Sequence, residues 1–304
     1  MPPLLSIVIA NYNYGRFLEE AIQSVLAQDM GDQVELIICD AASTDNSVDI
    51  IKKYANGLPP NTPRSGWEPH PSPIPYPSSL ITWWCSEPDG GQSAAFNKGF
   101  SHAHGRFLTW LNADDILMPG TLKKFEIAVE LHPECEWFVG GVMWLDKELK
   151  IIKCGRGRPF SSTRAKYGVV STWGPSSFFS HNLLERVGGV DERFFYTMDT
   201  DLWYRFYYKC GVTYLPFINY AWGLRLHEDA KMSAHNFTAS GQGSENHPKW
   251  RRIAQERAWM ETYYKPQMRL SFWRKLISVA FWGSLMGHID TFLYSGKNYK
   301  EYFT

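Results

Sequence analysis

The chain is short of the features that mark out several whole classes of protein. Lysine plus arginine equals aspartate plus glutamate, at 31 each in 304 residues, so no net field steers nucleic acid or an anionic membrane toward it. Its five cysteines, Cys39, Cys85, Cys135, Cys154 and Cys210, are widely spaced and include no CxxC pair. That pattern points to neither a disulfide framework nor a zinc knuckle, and it fits a reducing cytoplasm. No basic stretch precedes the first apolar run, and polar residues follow within ten positions, so MPPLLSIVIANYN reads as a first strand and not as a secretion signal. A GxGxxG turn is missing after that strand, where ANYNYG stands, which weakens a nucleotide-dependent dehydrogenase. No uninterrupted apolar run reaches the roughly 20 residues of a membrane span.

What is present is a 44% hydrophobic composition, enough for one large α/β core or two smaller ones. Residues 5–10 (LSIVIA) are apolar without alternation, the mark of a strand buried on both faces. Phe17, Leu18, Ala21, Ile22, Val25 and Leu26 then recur at helical spacing. A second strand at 34–39 ends in Asp40, and Thr44-Asp45 offers caps for a helix carrying Val48, Ile51 and Tyr54. Eight prolines between 58 and 79 interrupt this rhythm, so that segment reads as a surface insertion. A third strand at 81–86, a glycine turn and a helix with Ala95, Phe96, Gly99, Phe100 and Ala103 lead to a fourth strand. Such an alternation predicts a parallel sheet with ligands at the strands' C-terminal ends, where Ala10, Asn11, Tyr12 and Asp40 stand.

The fourth strand, in RFLTWLNADD (106–115), delivers two carboxylates from an apolar run. An isolated carboxylate is costly to desolvate, so Asp114 and Asp115 call for a cation, and Mg²⁺ or Mn²⁺ with positions left for phosphate oxygens is the natural one. The competing reading makes both residues helix caps near Thr121 or a turn before Pro119-Gly120.

The second half reads as a helix at 121–132, stopping at Pro133, and a strand at 137–145. A later helix has an apolar face of Leu202, Trp203, Phe206 and Tyr207, with Gly211 as its C-cap. Asp199 and Asp201 stand in its first turn, where the helix dipole alone would favour them as caps. Arg225, His227 and Lys231 form a basic trio within seven residues, suited to a diphosphate, although a lone histidine is more often a core residue. Residues 250–264 look helical and charged. The apolar stretch 271–294 is interrupted by His288, Asp290 and two glycines, leaving either an interfacial helix near Trp273, Arg274 and Lys275 or burial against the preceding domain or in a dimer.

Taken together, LSIVIANYN, DAASTDNS (40–47), EPDGGQSAAFNKG (87–99) and LNADD (111–115) resemble the consecutive motifs of family 2 glycosyltransferases, and the resemblance runs over residues 4–232. It implies an inverting enzyme of GT-A fold, an α/β architecture with a Rossmann-like, mostly parallel central sheet flanked by helices. Residues 1–235 would form the catalytic domain, with a nucleotide-sugar half at 1–118 and an acceptor half at 119–235, and 236–304 a helical C-terminal extension. The implied nucleotide-sugar site comprises Ala10, Asn11, Tyr12, Asp40, Asp89, Gln92, Lys98, Asn112, Ala113, Asp114, Arg225 and Lys231. Asp114 and His227 would hold Mn²⁺ or Mg²⁺, Asp199 would be the catalytic base, and Asp115 and Asp201 would give support. The expected partners are a nucleoside-diphosphate sugar, with uridine as the base, and a glycan or lipid-linked acceptor, with no nucleic acid. A cytoplasmic location, peripheral contact of 271–296 with the inner face of the membrane, and a homo-oligomer complete the expectations. The chain departs from the family's pattern at Asn112 (first DxD aspartate), at Ala41-Ala42 (often Asp-Gly) and at Met198 (usual glutamate). Those departures keep open a second reading, a catalytically inactive nucleotide-sugar-binding protein of the same fold.

Overall fold

A computed structural model describes residues 2–28, 30–55, 81–165, 170, 172–231, 248–264 and 291–300. The proline-rich insertion at 58–79 and most of the 271–296 stretch lie outside the described residues.

Seven elements build the first half: β1 (Leu5–Asn11), α1 (Gly15–Leu26), β2 (Val34–Asp40), α2 (Ser47–Ala55), β3 (Ile81–Ser86), α3 (Gln92–Ser101) and β4 (Phe107–Asn112). β1 lies between β2 and β4, with β3 outside β2, and all these pairings are parallel. The uninterrupted apolar runs follow from burial on both faces. Ile7, Ile9, Leu36 and Ile38 pack with Leu18, Ile22 and Ile51 of α1 and α2. Val8, Ile37 and Cys39 point the other way, toward Ala95, Phe96 and Phe100 of α3. Gly99 permits that second layer to close down, since a Cβ there would lie 2.3 Å from a Val8 methyl.

The second half adds β5 (Ile116–Leu117), α4 (Thr121–Leu131), β6 (Trp137–Leu145), β7 (Ile151–Gly155), α5 (Ser162–Ala165), β8 (Ser177–Ser180), α6 (His181–Val187), α7 (Met198–Tyr208), β9 (Leu215–Arg225) and α8 (Pro248–Tyr264). One sheet runs β3-β2-β1-β4-β8-β6-β9-β5, with β7 beside β6. Beyond β4 it is mixed: β8 is antiparallel to both its neighbours, whereas β9 is parallel to β6 and antiparallel to β5. The parallel character expected from the sequence therefore holds through the first four strands and returns in the β6–β9 pair. α8 lays Met260 and Tyr264 against Leu202 and Tyr204 of α7. Residues 291–300 fold back on β7, with Tyr299 fully buried and Ile151 N–H bonded to the Lys297 carbonyl. No helix among the described residues is long and apolar enough to cross a membrane.

Candidate active site

Register brings the polar strand ends level. Asn11 pairs with Asp40, Asp40 with Ser86, and Ala10 with Asn112, so four strands finish on one edge. A cleft of about 920 Å³ opens there, walled on one side by these strand ends and on the other by the start of α7 and the loop after β9. Asp40 does not itself line the cleft. Its carboxylate accepts from Asn11 Nδ2 (2.6 Å), the Ser43 N–H (3.0 Å) and the Ser86 hydroxyl (2.6 Å), and so fixes the ends of three segments. Asn11 lines the cleft and keeps a buried Oδ1 with no partner among the described residues, an acceptor available to a ligand. Tyr12, 59% exposed, stands over the same edge, and Asp89 caps the Gly91 N–H at 2.7 Å on the rim.

The two carboxylates after β4 have divided roles, and neither caps α4, whose first turn follows Gly120 at φ +68° without a side-chain cap. Asp115 is buried, accepting the Arg225 N–H (2.9 Å) and Asn112 Nδ2 (2.7 Å). Burial, reinforced by the neighbouring Asp114 charge, pushes its carboxyl well above the ordinary range. Asn112 also accepts from Gln92 Nε2 (2.8 Å), and Gln92 Oε1 accepts from the Lys231 ammonium (2.8 Å), giving a relay along the cleft wall. An aspartate at 112 could not donate to Asp115, which is a physical reason for the asparagine.

Asp114 turns into the cleft, its Oδ2 3.1 Å from His227 Nε2. The His227 ring is held 4.6 Å from the Phe17 ring, and its buried Nδ1 has no partner among the described residues. A carboxylate and an imidazole at that separation fit neighbouring ligands on an octahedral ion with bonds near 2.1 Å, about 3 Å apart. Among the described residues no third acidic, histidine or cysteine side chain joins them. Such a pair suits an ion whose remaining positions go to water and phosphate.

Across the cleft stand Asp199, in the first turn of α7, and Lys231. Asp199 accepts from the Thr200 N–H at 2.6 Å, and burial raises its carboxyl above the ordinary range. Burial likewise pulls the Lys231 ammonium down to about 8, opposed by the Asp199 and Glu256 charges. That ammonium also donates to the Phe195 carbonyl and lies 4.0 Å over the Phe195 ring. Met198 takes the Ser93 hydroxyl on its sulfur and lines the cleft floor.

Besides Asp40, three expected site residues lie elsewhere. Arg225 turns away: its guanidinium pairs with Glu20 (2.5 Å) on α1 and lies over Phe17, and only its main chain serves the site, through Asp115. The reason is strand parity, because Trp222, Leu224 and Leu226 take the cleft side of the chain. Lys98 pairs with Glu87 (2.7 Å) outside the cleft lining. Asp201 is buried with Arg205 (2.7 Å) and takes the Tyr264 hydroxyl, so it serves the packing of α7 on α8. Sequence reasoning missed Ser43 and Ser86 as partners of Asp40, Glu20 as partner of Arg225, and the whole contribution of α8.

Residues 6–67 and 79–134 match the family model described as Glycosyl transferase family 2. An uncharacterised glycosyltransferase of Nostoc sp. is 37% identical over 120 residues, 40% of this chain and 31% of the relative's length. S. aureus TarS 1–349 in complex with UDP-GlcNAc shares the fold at TM-score 0.52 and 18% identity, over 76% of this chain and 60% of TarS 1–349. The mannosyltransferase PcManGT of Pyrobaculum calidifontis, in complex with GDP-Man and Mn²⁺, aligns at TM-score 0.50 and 16% identity, over 99% of this chain and 83% of its own. The chain thus spans about a third of the curated relative and less than two thirds of TarS 1–349.

Proposed function

Because the chain belongs to glycosyl transferase family 2, we propose that it transfers a hexose or N-acetylhexosamine unit from a nucleoside-diphosphate sugar to a hydroxyl of a glycan or lipid-linked acceptor, of the kind used in cell-surface glycan assembly. One displacement with inversion at the anomeric carbon would suffice. The observation that carries the reading is a single cleft with Asn11 and Asp114 on one wall and Asp199 and Lys231 on the other. Asn11 Oδ1 suits the N3–H of a uracil, and Tyr12 offers a ring to stack on the base. Asp89 gives the nucleoside hydroxyls a carboxylate. Asp114 and His227 would hold Mn²⁺ or Mg²⁺, and PcManGT, in complex with Mn²⁺, makes that use of the fold familiar. When bound, the ion supplies positive charge to the diphosphate oxygens. Lys231 adds a fixed ammonium where the leaving diphosphate gains charge. Asp199 takes the acceptor's proton at its carboxylate as the new C–O bond forms, and its raised pKa strengthens it as a base.

The inactive-binder reading draws on Met198, which puts a thioether where the family usually has a carboxylate next to Asp199. Incubation with Mn²⁺ and a panel of nucleotide sugars decides between them. Release of nucleoside diphosphate from one donor, abolished by chelation, is the expected result. Nucleotide binding with no donor consumed favours the binder, and no nucleotide binding at all overturns both.

A further inference from the structure

Helix α8 belongs to none of the segments that match the family model, yet it reaches the acceptor-side wall at three places. Lys249, in its first turn, donates to the main-chain carbonyl of Lys231. Tyr264, at its end, donates to Asp201 Oδ1 at 3.1 Å. Between them Glu256 makes the densest set of contacts. Its Oε1 accepts the Phe195 N–H (2.9 Å), and its Oε2 accepts the Tyr196 N–H (3.0 Å), the Thr197 N–H (3.0 Å) and the Thr197 hydroxyl (2.9 Å).

These bonds fall on the chain that leads into α7. Thr197, the residue before that helix, supplies no side-chain cap of its own. A buried carboxylate 59 residues further on therefore stands at the helix start, facing the positive end of its dipole. Arg252, one turn earlier on α8, lies 3.3 Å from the same carboxylate. Burial would raise the Glu256 carboxyl, but the N–H groups of Phe195, Tyr196 and Thr197 hold it below its ordinary value, so it stays charged at neutral pH. Asp199 follows the held segment by two residues, and the Phe195 carbonyl at its other end receives the Lys231 ammonium. One clamp thus governs both functional groups on this wall.

We propose that Glu256 is a positioning residue: by fixing the main chain of 195–197 it sets Asp199 against Lys231 across the acceptor side of the cleft. The proposal rests on the reading of Asp199 as the base. It makes α8 part of the transfer machinery. The alternative, a cap that serves stability alone, predicts that folded variants turn over normally.

Full-length Glu256→Gln and Glu256→Ala separate the two. Glutamine keeps one acceptor oxygen and sets an NH₂ against a main-chain N–H, so it is the graded variant, and alanine removes every bond. The measurements are kcat and donor KM, UDP affinity, melting temperature, and hydrogen exchange of the 195–197 amides. Expected is a kcat loss on the order of 10²-fold for alanine, the scale of a misplaced reactive group, and a smaller loss for glutamine. UDP affinity should fall far less than kcat, because Asn11 and Asp89 lie on other elements and only the Lys231 contact is loosened, and exchange at 195–197 should quicken in both variants. Unchanged kcat in folded variants, or unchanged exchange, overturns the proposal. Should the parent chain consume no donor, the reading of the site fails by itself, and exchange alone then judges the clamp: quickening confined to 195–199 upholds it, and unchanged rates reject it.

Discussion

Adjacent carboxylates in this chain are separated by environment. Asp199 faces the cleft and, among the described residues, is hydrogen-bonded only within its own helix turn, to Thr200, whereas Asp201 is sealed against Arg205, the two side chains 2% and 6% exposed. Asp199→Asn should therefore keep UDP and Mn²⁺ affinity while slowing transfer by roughly 10²-fold or more, the usual cost of removing a general base. Asp201→Asn leaves a buried guanidinium without its partner, so it should lower stability by about 3–5 kcal/mol in denaturant titration, with turnover per folded molecule largely kept. An Asp199→Asn enzyme with normal turnover beside a folded but dead Asp201→Asn enzyme would reverse the assignment. Lys231 gives a pH signature. Its folded pKa, drawn down to about 8 by burial, lies below the ordinary lysine value, so the ammonium is lost as pH rises through about 8. Diphosphate affinity should weaken across that window, and because a bound anion favours the charged form, binding near pH 8 should take up protons. Calorimetry in buffers of different ionisation heat measures that uptake. No uptake near pH 8 would remove Lys231 from the diphosphate site.

The elements were legible from sequence to unequal degrees, and the reasons are physical. β1, β2 and β4 are buried on both faces and α1 is amphipathic, so a near-continuous apolar run, broken only by Ser6, Glu35 and Thr109, and a 3.6 period carried each into view. β5 has two residues and β8 four, too few for any period to register, and with them the antiparallel turn of the sheet went unseen. Spacing also hid which side of the chain Arg225 would take, because RxHxxxK says nothing of where β9 ends. Asp114, Gln92 and Lys231 did converge on the cleft, with His227 set against Asp114, since each sits at or just beyond the end of an element. Within the first half, α3 lies close on β1 at Gly99. Gly99→Ala puts a methyl 2.3 Å from a Val8 methyl, so α3 must lift, at about 1–3 kcal/mol of overpacking. The urea midpoint should fall, and UDP affinity with it, because Gln92 and Asp89 ride at the start of that helix. A parental midpoint would show that β1 and α3 have room to spare.

On the scale of the whole molecule, the first half (through residue 118) and the second share one sheet. β4 from the first half is hydrogen-bonded to β8 from the second through Phe107 opposite Ser180 and Leu108 opposite Phe179. The traffic also runs the other way: β5, just after the acidic pair, is paired with β9, where Ile116 lies opposite Gly223, and Asp115 holds the Arg225 N–H. Side chains cross the same boundary, with Trp110 stacked on Trp203 at 5.6 Å and Phe107 edge-on to Phe138 at 5.7 Å. Cutting at residue 118 would expose the edge of β4 with its aromatic face and leave Asp115 a buried carboxylate short of a partner. The isolated 1–118 fragment should therefore fail to form a compact fold. In the intact chain, the strands and helices of the two halves should melt as one cooperative unit. UDP with Mn²⁺ at about 100 times its dissociation constant should stabilise that unit by about 2.7 kcal/mol and move the transition without splitting it. Scanning calorimetry with and without nucleotide makes the measurement. Two endotherms, only one of them shifted by nucleotide, would show that the halves fold separately and that the cleft between them is assembled after each has formed.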